Sequence, residues 1–304
     1  MDKTFTNRNV TTDEMRDNLI FVLSVYIPLD LVIIVGNSLV LFVFRQTRSY
    51  DEPQFVLLGS LAFVDLLTGI IAVPMYMWAC ILKGSHYPDS ICELQYIPTI
   101  TFIAVSWFHL LLITVDRYVF IIKPLQYHKI ITLRRIYLSI AISWIMGCFY
   151  GIVNLFGGIK KIDGILFCYE MNGRAFEVQR YIALVMMSTG TMILMIMYFR
   201  IVLEARKHEK NIVSIPVRTR KIVRKRYKAA KTSAIIIGAF VIAFLPSALK
   251  PVLYLVYQPS DLFWYDLIVE LLVNMSSAVN PFIYVWRLQQ FSCALRRILT
   301  NFLL

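Results

Sequence analysis

Long apolar runs separated by short polar stretches make up nearly all of this chain. Seven of them are long enough to matter: Leu19–Phe44, Gln54–Leu82, Ile91–Ile122, Leu133–Phe156, Tyr181–Leu203, Ser233–Tyr257 and Leu262–Trp286. A helix rises about 1.5 Å per residue, so roughly 20 apolar residues cross a hydrocarbon layer about 30 Å thick. Each run therefore predicts one membrane-spanning helix, and they are numbered here as spans one to seven. Beyond Trp286 the pattern changes: Leu288, Phe291, Leu295, Ile298 and Phe302 recur every three or four residues, with Arg296 and Arg297 off that face. This spacing predicts an amphipathic helix lying on a membrane surface. The expected fold is an all-α, seven-helix transmembrane bundle forming one domain. Residues 1–18 are an outer segment, 19–287 the bundle, and 288–304 the amphipathic helix with a short cytoplasmic tail.

Composition agrees with that reading. Of 304 residues, 58% are hydrophobic and 16% charged, a balance suited to a membrane protein rather than a soluble domain. The net charge of +12 would suggest nucleic acid in a soluble chain, but its placement excludes that partner. Eleven Lys or Arg face two acids between Glu204 and Lys231, and Lys123, Lys129, Arg134, Arg135, Arg287, Arg296 and Arg297 fall on the same side. The other side is nearly balanced. The positive-inside rule puts the N-terminus outside and the C-terminus in the cytoplasm, with the basic side near anionic lipid. Met1–Asp17 has no cleavable-signal character. Asn9-Val10-Thr11 is a glycosylation sequon on the outer side, whereas Asn274-Met275-Ser276 lies inside span seven, out of reach. Cys92 and Cys168 both fall on the oxidising face, where either a disulfide or two separate thiols fits the spacing. Cys80 and Cys148, inside spans, read as packing residues.

Polar residues within the bilayer are costly and so are functional candidates. Asp65 is central in span two; Ser106 in span three and Ser276 and Asn280 in span seven are its expected neighbours. A carboxylate with neutral oxygens suits a hard cation such as sodium, while the residues alone favour a water-filled hydrogen-bond network with no ion. Asp30 and Asn37 share a face of span one, expected to meet span seven near Asn274; Asp30 is either hydrogen-bonded inside the bundle or a ligand contact. At the inner end of span three stands Asp116-Arg117-Tyr118, an ion pair that a conformational change can break. In span seven, Pro281 of Asn280-Pro281-Phe282-Ile283-Tyr284 removes a backbone donor and kinks the helix, and Asn280 can serve the freed carbonyls. Pro246 makes a similar hinge in span six.

Taken together these residues resemble the rhodopsin-like (class A) G-protein-coupled receptors along the whole chain. Gly36-Asn37, Leu61-Ala62 with Asp65, Asp116-Arg117-Tyr118, Trp144, Tyr198, Pro246, and Asn280-Pro281 with Tyr284 and Phe291 match span by span. The resemblance implies a plasma-membrane receptor without enzymatic activity or cofactor. It would bind an outer ligand and activate a heterotrimeric G protein as span six swings outward, with arrestin and a receptor kinase as further partners. It also implies a Cys92–Cys168 disulfide, a sodium ion held by Asp65, Ser106, Ser276 and Asn280, and a coupling cleft lined by Arg117, Tyr198 and Tyr284.

Departures from the family pattern narrow the picture. Gly190 replaces the usual proline of span five, and Phe244 stands where a tryptophan toggle is common. Arg226 occupies the place of an acid that often pairs with the span-three arginine, which predicts elevated ligand-free signalling. The inner half is most similar to adenosine receptors, through Ala229-Ala230-Lys231, Ala234-Ile235-Ile236 and the span-seven motif. The outer half is not: Pro251 and Val273-Asn274 differ from theirs. Thr99 stands where amine receptors carry an aspartate, and span seven lacks the opsins' Schiff-base lysine. The expected ligand pocket is Tyr96, Thr99, Ile100, Ile103, Met186, Phe244, Lys250, Tyr254, Glu270 and Asn274, suited to a small molecule, with Tyr169 and Glu170 at its mouth. Glu270 and Lys250 either bind a charged ligand group or pair with each other. The competing reading is a seven-helix transporter or proton conductor, which would show repeated halves and broken helices. An intramembrane enzyme is not supported, because His86, His109, His128 and His208 are scattered.

Overall fold

The computed structural model describes residues 12–47, 51–82, 89–153, 159–161, 168–170, 174–211, 238, 242–247, 249, 253, 263–287 and 289–303. Among these, six helices are long and apolar enough to cross a membrane. Span one is Thr12–Gln46, span three Asp89–Ile122, span four Leu133–Val153, span five Arg174–Asn211 and span seven Phe263–Arg287. Span six is helical at 242–247; most of Ser233–Tyr257 lies outside the described residues. Spans one and five begin seven residues earlier than the apolar runs, and span five continues eight residues further inward. Helical hydrogen bonding persists there into polar segments that the apolar pattern cannot register.

Span two departs from a straight helix. It starts at Pro53 after an extended Glu52, where proline's missing N–H costs no intrahelical bond. The α-helix Pro53–Leu67 passes into a π-helical turn, Thr68–Ala72, and resumes as Val73–Leu82. The cause is local: Pro74 offers no N–H to the preceding turn and its ring crowds the carbonyl four residues back. A widened turn relieves both.

Packing rests on close approaches that the side chains permit. Gly147 and Gly151 of span four lie against span three so tightly that a Cβ on Gly147 would come 2.3 Å from Val105 Cγ2 and 3.2 Å from the Thr101 carbonyl oxygen. Ser143, one turn earlier, is also buried, so a ridge of small residues at four-residue spacing seats span four, as small side chains do in membrane bundles. Gly36 admits the ring of Pro281, whose Cγ would be 2.8 Å from an added Cβ. Gly190 likewise admits the Trp107 ring, whose nearest carbons would be 2.1 Å away, which explains a glycine at this position of span five.

The core lies between spans one, two, three and seven. At its inner end Phe44 meets Phe55, Phe291 and Tyr284, with ring centroids 5.4, 5.7 and 6.5 Å apart. Phe291 belongs to the helix Gln289–Leu303, whose Arg296 and Arg297 are exposed, as the amphipathic pattern predicts. Large apolar side chains such as Ile145, Phe149 and Met192 point outward, the reverse of a soluble protein. Cys148 is exposed among them, so it faces the lipid side instead of packing internally; the side chain of Cys80 lies outside the described residues. On the outer side Ile159–Lys161 and Cys168–Glu170 form a short antiparallel hairpin, with Lys161 opposite Cys168.

Candidate functional site: a polar column through the bundle

The outer half of the bundle encloses a cavity. Span three contributes Thr99, Phe102, Ile103 and Ser106, span six Phe244, and span seven Glu270, Val273, Asn274, Ser276 and Ser277; Tyr26, Thr68, Ala72, Val73 and Tyr76 close it from spans one and two. Thr99, Ile103, Phe244, Glu270 and Asn274 were expected there from sequence. Asn274 Nδ2 donates to the Glu270 carbonyl oxygen at 2.8 Å and Thr99 Oγ1 to that of Gln95 at 2.9 Å, so both side chains are held along their own helices. Glu270 is the sole acid among the described lining residues. Tyr96 and Ile100 are half-buried on span three but are not in this lining. Met186, on span five, is 37% exposed and is not in this lining. Lys250, Tyr254 and Asn9 lie outside the described residues, as do the side chains of Cys92, Cys168, Tyr169 and Glu170.

Below the cavity sits Asp65, 1% exposed. Ser277 Oγ donates to its Oδ1 and Asn280 Nδ2 to its Oδ2, each at 2.7 Å. Ser277, not Ser276, therefore meets the carboxylate; Ser276 Oγ instead donates to the Val273 carbonyl oxygen at 2.6 Å, although it and Ser106 both line the cavity. Ser277 stands three residues before Asn280, so ordinary helical spacing puts both on the face that meets Asp65. Asn37 Nδ2 bridges the Ile33 and Ser277 carbonyl oxygens at 2.9 and 3.2 Å, tying span one to the same turn. Asp30 lies against the π-turn of span two: its Oδ1 would be 3.3 Å from a Cβ on Gly69.

Three oxygens around this hub bear on a cation. Asn280 Oδ1 is buried with no hydrogen-bond partner among the described residues, and Ser106 and Ser276 line the adjoining cavity. With the Asp65 carboxylate they form an all-oxygen donor set, chemically suited to a hard monovalent ion. The residues fit such a group.

Beside the hub lies a fully buried histidine that sequence reading left aside. His109 Nδ1 is 2.8 Å from the Val105 carbonyl oxygen and Nε2 is 2.7 Å from Ser60 Oγ. A carbonyl only accepts, so Nδ1 carries a proton, and the Ser60 hydroxyl can partner Nε2 in either direction. Both ring nitrogens are satisfied, and the imidazole knits span two to span three.

At the inner end Arg117 is held on three sides. Its Nε donates to Asp116 Oδ2 at 2.7 Å, and Nη2 donates to the same oxygen. Nη1 donates to Gln54 Oε1 of span two at 2.6 Å, and the guanidinium carbon stands 5.1 Å from the Phe120 ring centroid, within cation–π range. Asp116 Oδ1 accepts from the Tyr127 hydroxyl at 2.7 Å. Burial, reinforced by the Asp116 carboxylate, pushes the Tyr127 phenol far above its ordinary range, so it remains a donor. Tyr127 opens a single helical turn, Tyr127–Ile130, and Arg135 secures that turn by donating to the Lys129 and Ile130 carbonyl oxygens at 3.0 and 2.8 Å. Tyr118 is half-buried and packs on Ile121 and Ile201. Tyr284 is fully buried, its hydroxyl without a partner among the described residues, and the half-buried Tyr198 has its hydroxyl 3.9 Å from where a Cβ on Gly238 of span six would sit. The missing acid at Arg226 thus leaves Arg117 neither unpaired nor exposed. Gln54 was invisible beforehand because a glutamine in the first turn of a helix carries no motif.

Comparison with known proteins places the same residues in a wider set. Residues 36–284 match the family described as 7 transmembrane receptor (rhodopsin family). Among curated proteins, trace amine-associated receptor 7h of Rattus norvegicus is 28% identical over 287 residues, covering 88% of this chain and 78% of that protein. Trace amine-associated receptor 13c of Danio rerio is 30% identical over 227 residues, 71% and 67% of the two chains. Trace amine-associated receptor 1 of Mus musculus is 27% identical over 307 residues, 91% and 88%. None of these bears on the adenosine-receptor likeness of the inner half.

Proposed function

Since this chain belongs to the rhodopsin family of seven-transmembrane receptors, and is thus a multi-pass membrane receptor and not an enzyme, we propose that it converts binding of a small outer ligand into nucleotide exchange on a heterotrimeric G protein. The protein would act at the plasma membrane with its N-terminus outside, glycosylated at Asn9 and closed by a Cys92–Cys168 disulfide. Arrestin and a receptor kinase would share its inner face.

One observation carries this reading: Ser277 both lines the outer cavity and donates to Asp65, whose other oxygen is bonded to Asn280 beside the Pro281 kink. A ligand that displaces Ser277 perturbs the hub, and the hub sits on the hinge of span seven. Thermodynamically the ligand does no more than favour one of two pre-existing states, by as much as it prefers that state. Movement of span six then exposes a cleft in which Arg117, Tyr198 and Tyr284 meet the G protein. A sodium ion, when bound, supplies positive charge that favours the resting arrangement of Asp65 and its neighbours. Asp65→Asn is expected to abolish any rise in thermal stability produced by sodium over potassium at equal ionic strength. An equal rise in both proteins would remove sodium from the proposal.

The relatives' names speak of trace amines. Thr99 cannot pair with an ammonium group, but Glu270 lines the cavity within reach of the aromatic residues Tyr76 and Phe244, a setting that suits a small aromatic amine. The test is a panel of amines, nucleosides, lipids and short peptides applied to surface-expressed receptor, read as G-protein nucleotide exchange. Amines are expected to respond in wild type and to lose about 10- to 100-fold in potency in Glu270→Gln, as charge-assisted bonds of about 1.5–3 kcal/mol imply. An amine response indifferent to this substitution moves the ligand's cation elsewhere; silence from every class with every G protein refutes the receptor reading.

A further inference from the structure

We propose that Gln54 is the resting-state latch on Arg117, doing from span two what an acid in span six does in receptors that carry one. The inference rests on the coupling role assigned to Arg117 above and on four observations. Arg226 brings a second positive charge to the place where a span-six acid would stand, so attraction across the cleft is unavailable. Gln54 Oε1 accepts from Arg117 Nη1 at 2.6 Å, joining residues 63 positions apart. Its backbone is fixed, because Pro53 sets the first turn of the helix and Glu52 precedes it extended. Arg117 is 5% exposed, so the amide oxygen reaches it where water competes poorly, and a bond to a charged donor is stronger than one between neutral groups.

Geometry makes Gln54 the bond that decides. Asp116 is adjacent to Arg117 in sequence and on the same helix, so that ion pair can travel with the arginine. Phe120 is one turn further along the same span. Among the described residues, Gln54 is the contact in this cluster that ties the guanidinium to another helix. For Arg117 to reach into the cleft, its Nη1 must leave Gln54. Two consequences differ from a span-six lock. The latch bridges spans two and three, so outward movement of span six does not itself break it. And the acceptor is a neutral amide, which holds the arginine in place without adding a second buried negative charge beside Asp116.

Two readouts test the latch, both on the full-length receptor in lipid nanodiscs. The first is ligand-free nucleotide exchange by added G protein, normalised to receptor number. Gln54→Ala is expected to raise it roughly tenfold, equivalent to about 1.4 kcal/mol on the resting equilibrium. Gln54→Asn, one methylene too short to reach, should behave like the alanine variant, whereas Gln54→Glu should fall to or below wild type. Adding Arg226→Glu to Gln54→Ala should bring exchange back down by supplying the absent span-six acceptor. The second readout needs no G protein: the Arg117 guanidinium 15Nη–H resonances, which include the Nη1 group that donates to Gln54 and are identified by their loss in Arg117→Lys, should exchange with solvent about tenfold faster in Gln54→Ala and Gln54→Asn. Solvent exchange unchanged in both variants overturns the latch, whatever the coupling assay gives. Faster solvent exchange with no nucleotide exchange in any variant keeps the latch and refutes the coupling reading instead. A Gln54→Glu protein that signals like the alanine variant also overturns it, since a role confined to helix packing, and not acceptance from Arg117, would then explain the data.

Discussion

Replacing Gly147 with valine is expected to leave almost no folded receptor at the cell surface. The added Cβ alone would fall 2.3 Å from Val105 Cγ2 and 3.2 Å from a backbone oxygen, and valine brings two further methyl groups. Val105 is fully buried and its β-branched side chain has little rotamer freedom, so relief requires spans three and four to separate. Overpacking of this kind costs about 3 kcal/mol or more, a large part of the roughly 5–15 kcal/mol that holds a typical folded protein together. Separation would also disturb His109 and Ser60, which bind span three to span two just beyond the contact. Surface labelling against total protein, with thermal unfolding of whatever is recovered, measures the effect. Gly147→Ala should show a smaller loss. Wild-type surface levels of the valine variant would mean that the two helices are not this close.

Arg117→Ala is expected to eliminate ligand-stimulated nucleotide exchange while leaving ligand binding in the outer cavity intact. The guanidinium is the group assigned to the G protein, and no other described side chain in the inner cluster carries a positive charge in its place. Loss of at least 100-fold, about 2.7 kcal/mol, is the predicted size. The substitution also strands the Asp116 carboxylate, buried with Tyr127 as its remaining donor, and unpairing a buried ion costs about 3–5 kcal/mol. Arg117→Lys separates the two effects, since an ammonium keeps the charge near Asp116 but lacks the planar fork that reaches Gln54 as well. A transporter or proton conductor would tolerate the alanine variant once folded. Exchange equal to wild type therefore removes the receptor mechanism.

The bundle was legible in the sequence because apolar length is a direct record of what lipid demands; six described helices coincide with predicted spans, and the surface helix after Trp286 follows its three-and-four spacing. Asp65 with Asn280 and Asp116 with Arg117 were legible for a related reason: a polar group in hydrocarbon has few acceptable partners. What escaped was register. Ser277 and Ser276 stand three and four residues before Asn280, so both share its face, and spacing alone does not choose between them; the approach of span two does. The ridge of Ser143, Gly147 and Gly151 was written in the sequence, as small residues four apart, but its meaning depends on which neighbour approaches. Gln54 had no such mark at all, since any helix start near the cytoplasm can carry a glutamine.

The widened turn at Thr68–Ala72 works as a spacer that hides a residue. A π-turn carries five residues through about the arc that four α-helical residues cover, so Val73–Leu82 face nearly as they would in an uninterrupted helix one residue shorter. Were the turn to tighten to α-geometry with all five residues kept, that segment would swivel by about 100° and Tyr76 would leave the cavity wall. Alignments that ignore the extra residue will compare the wrong wall positions between relatives.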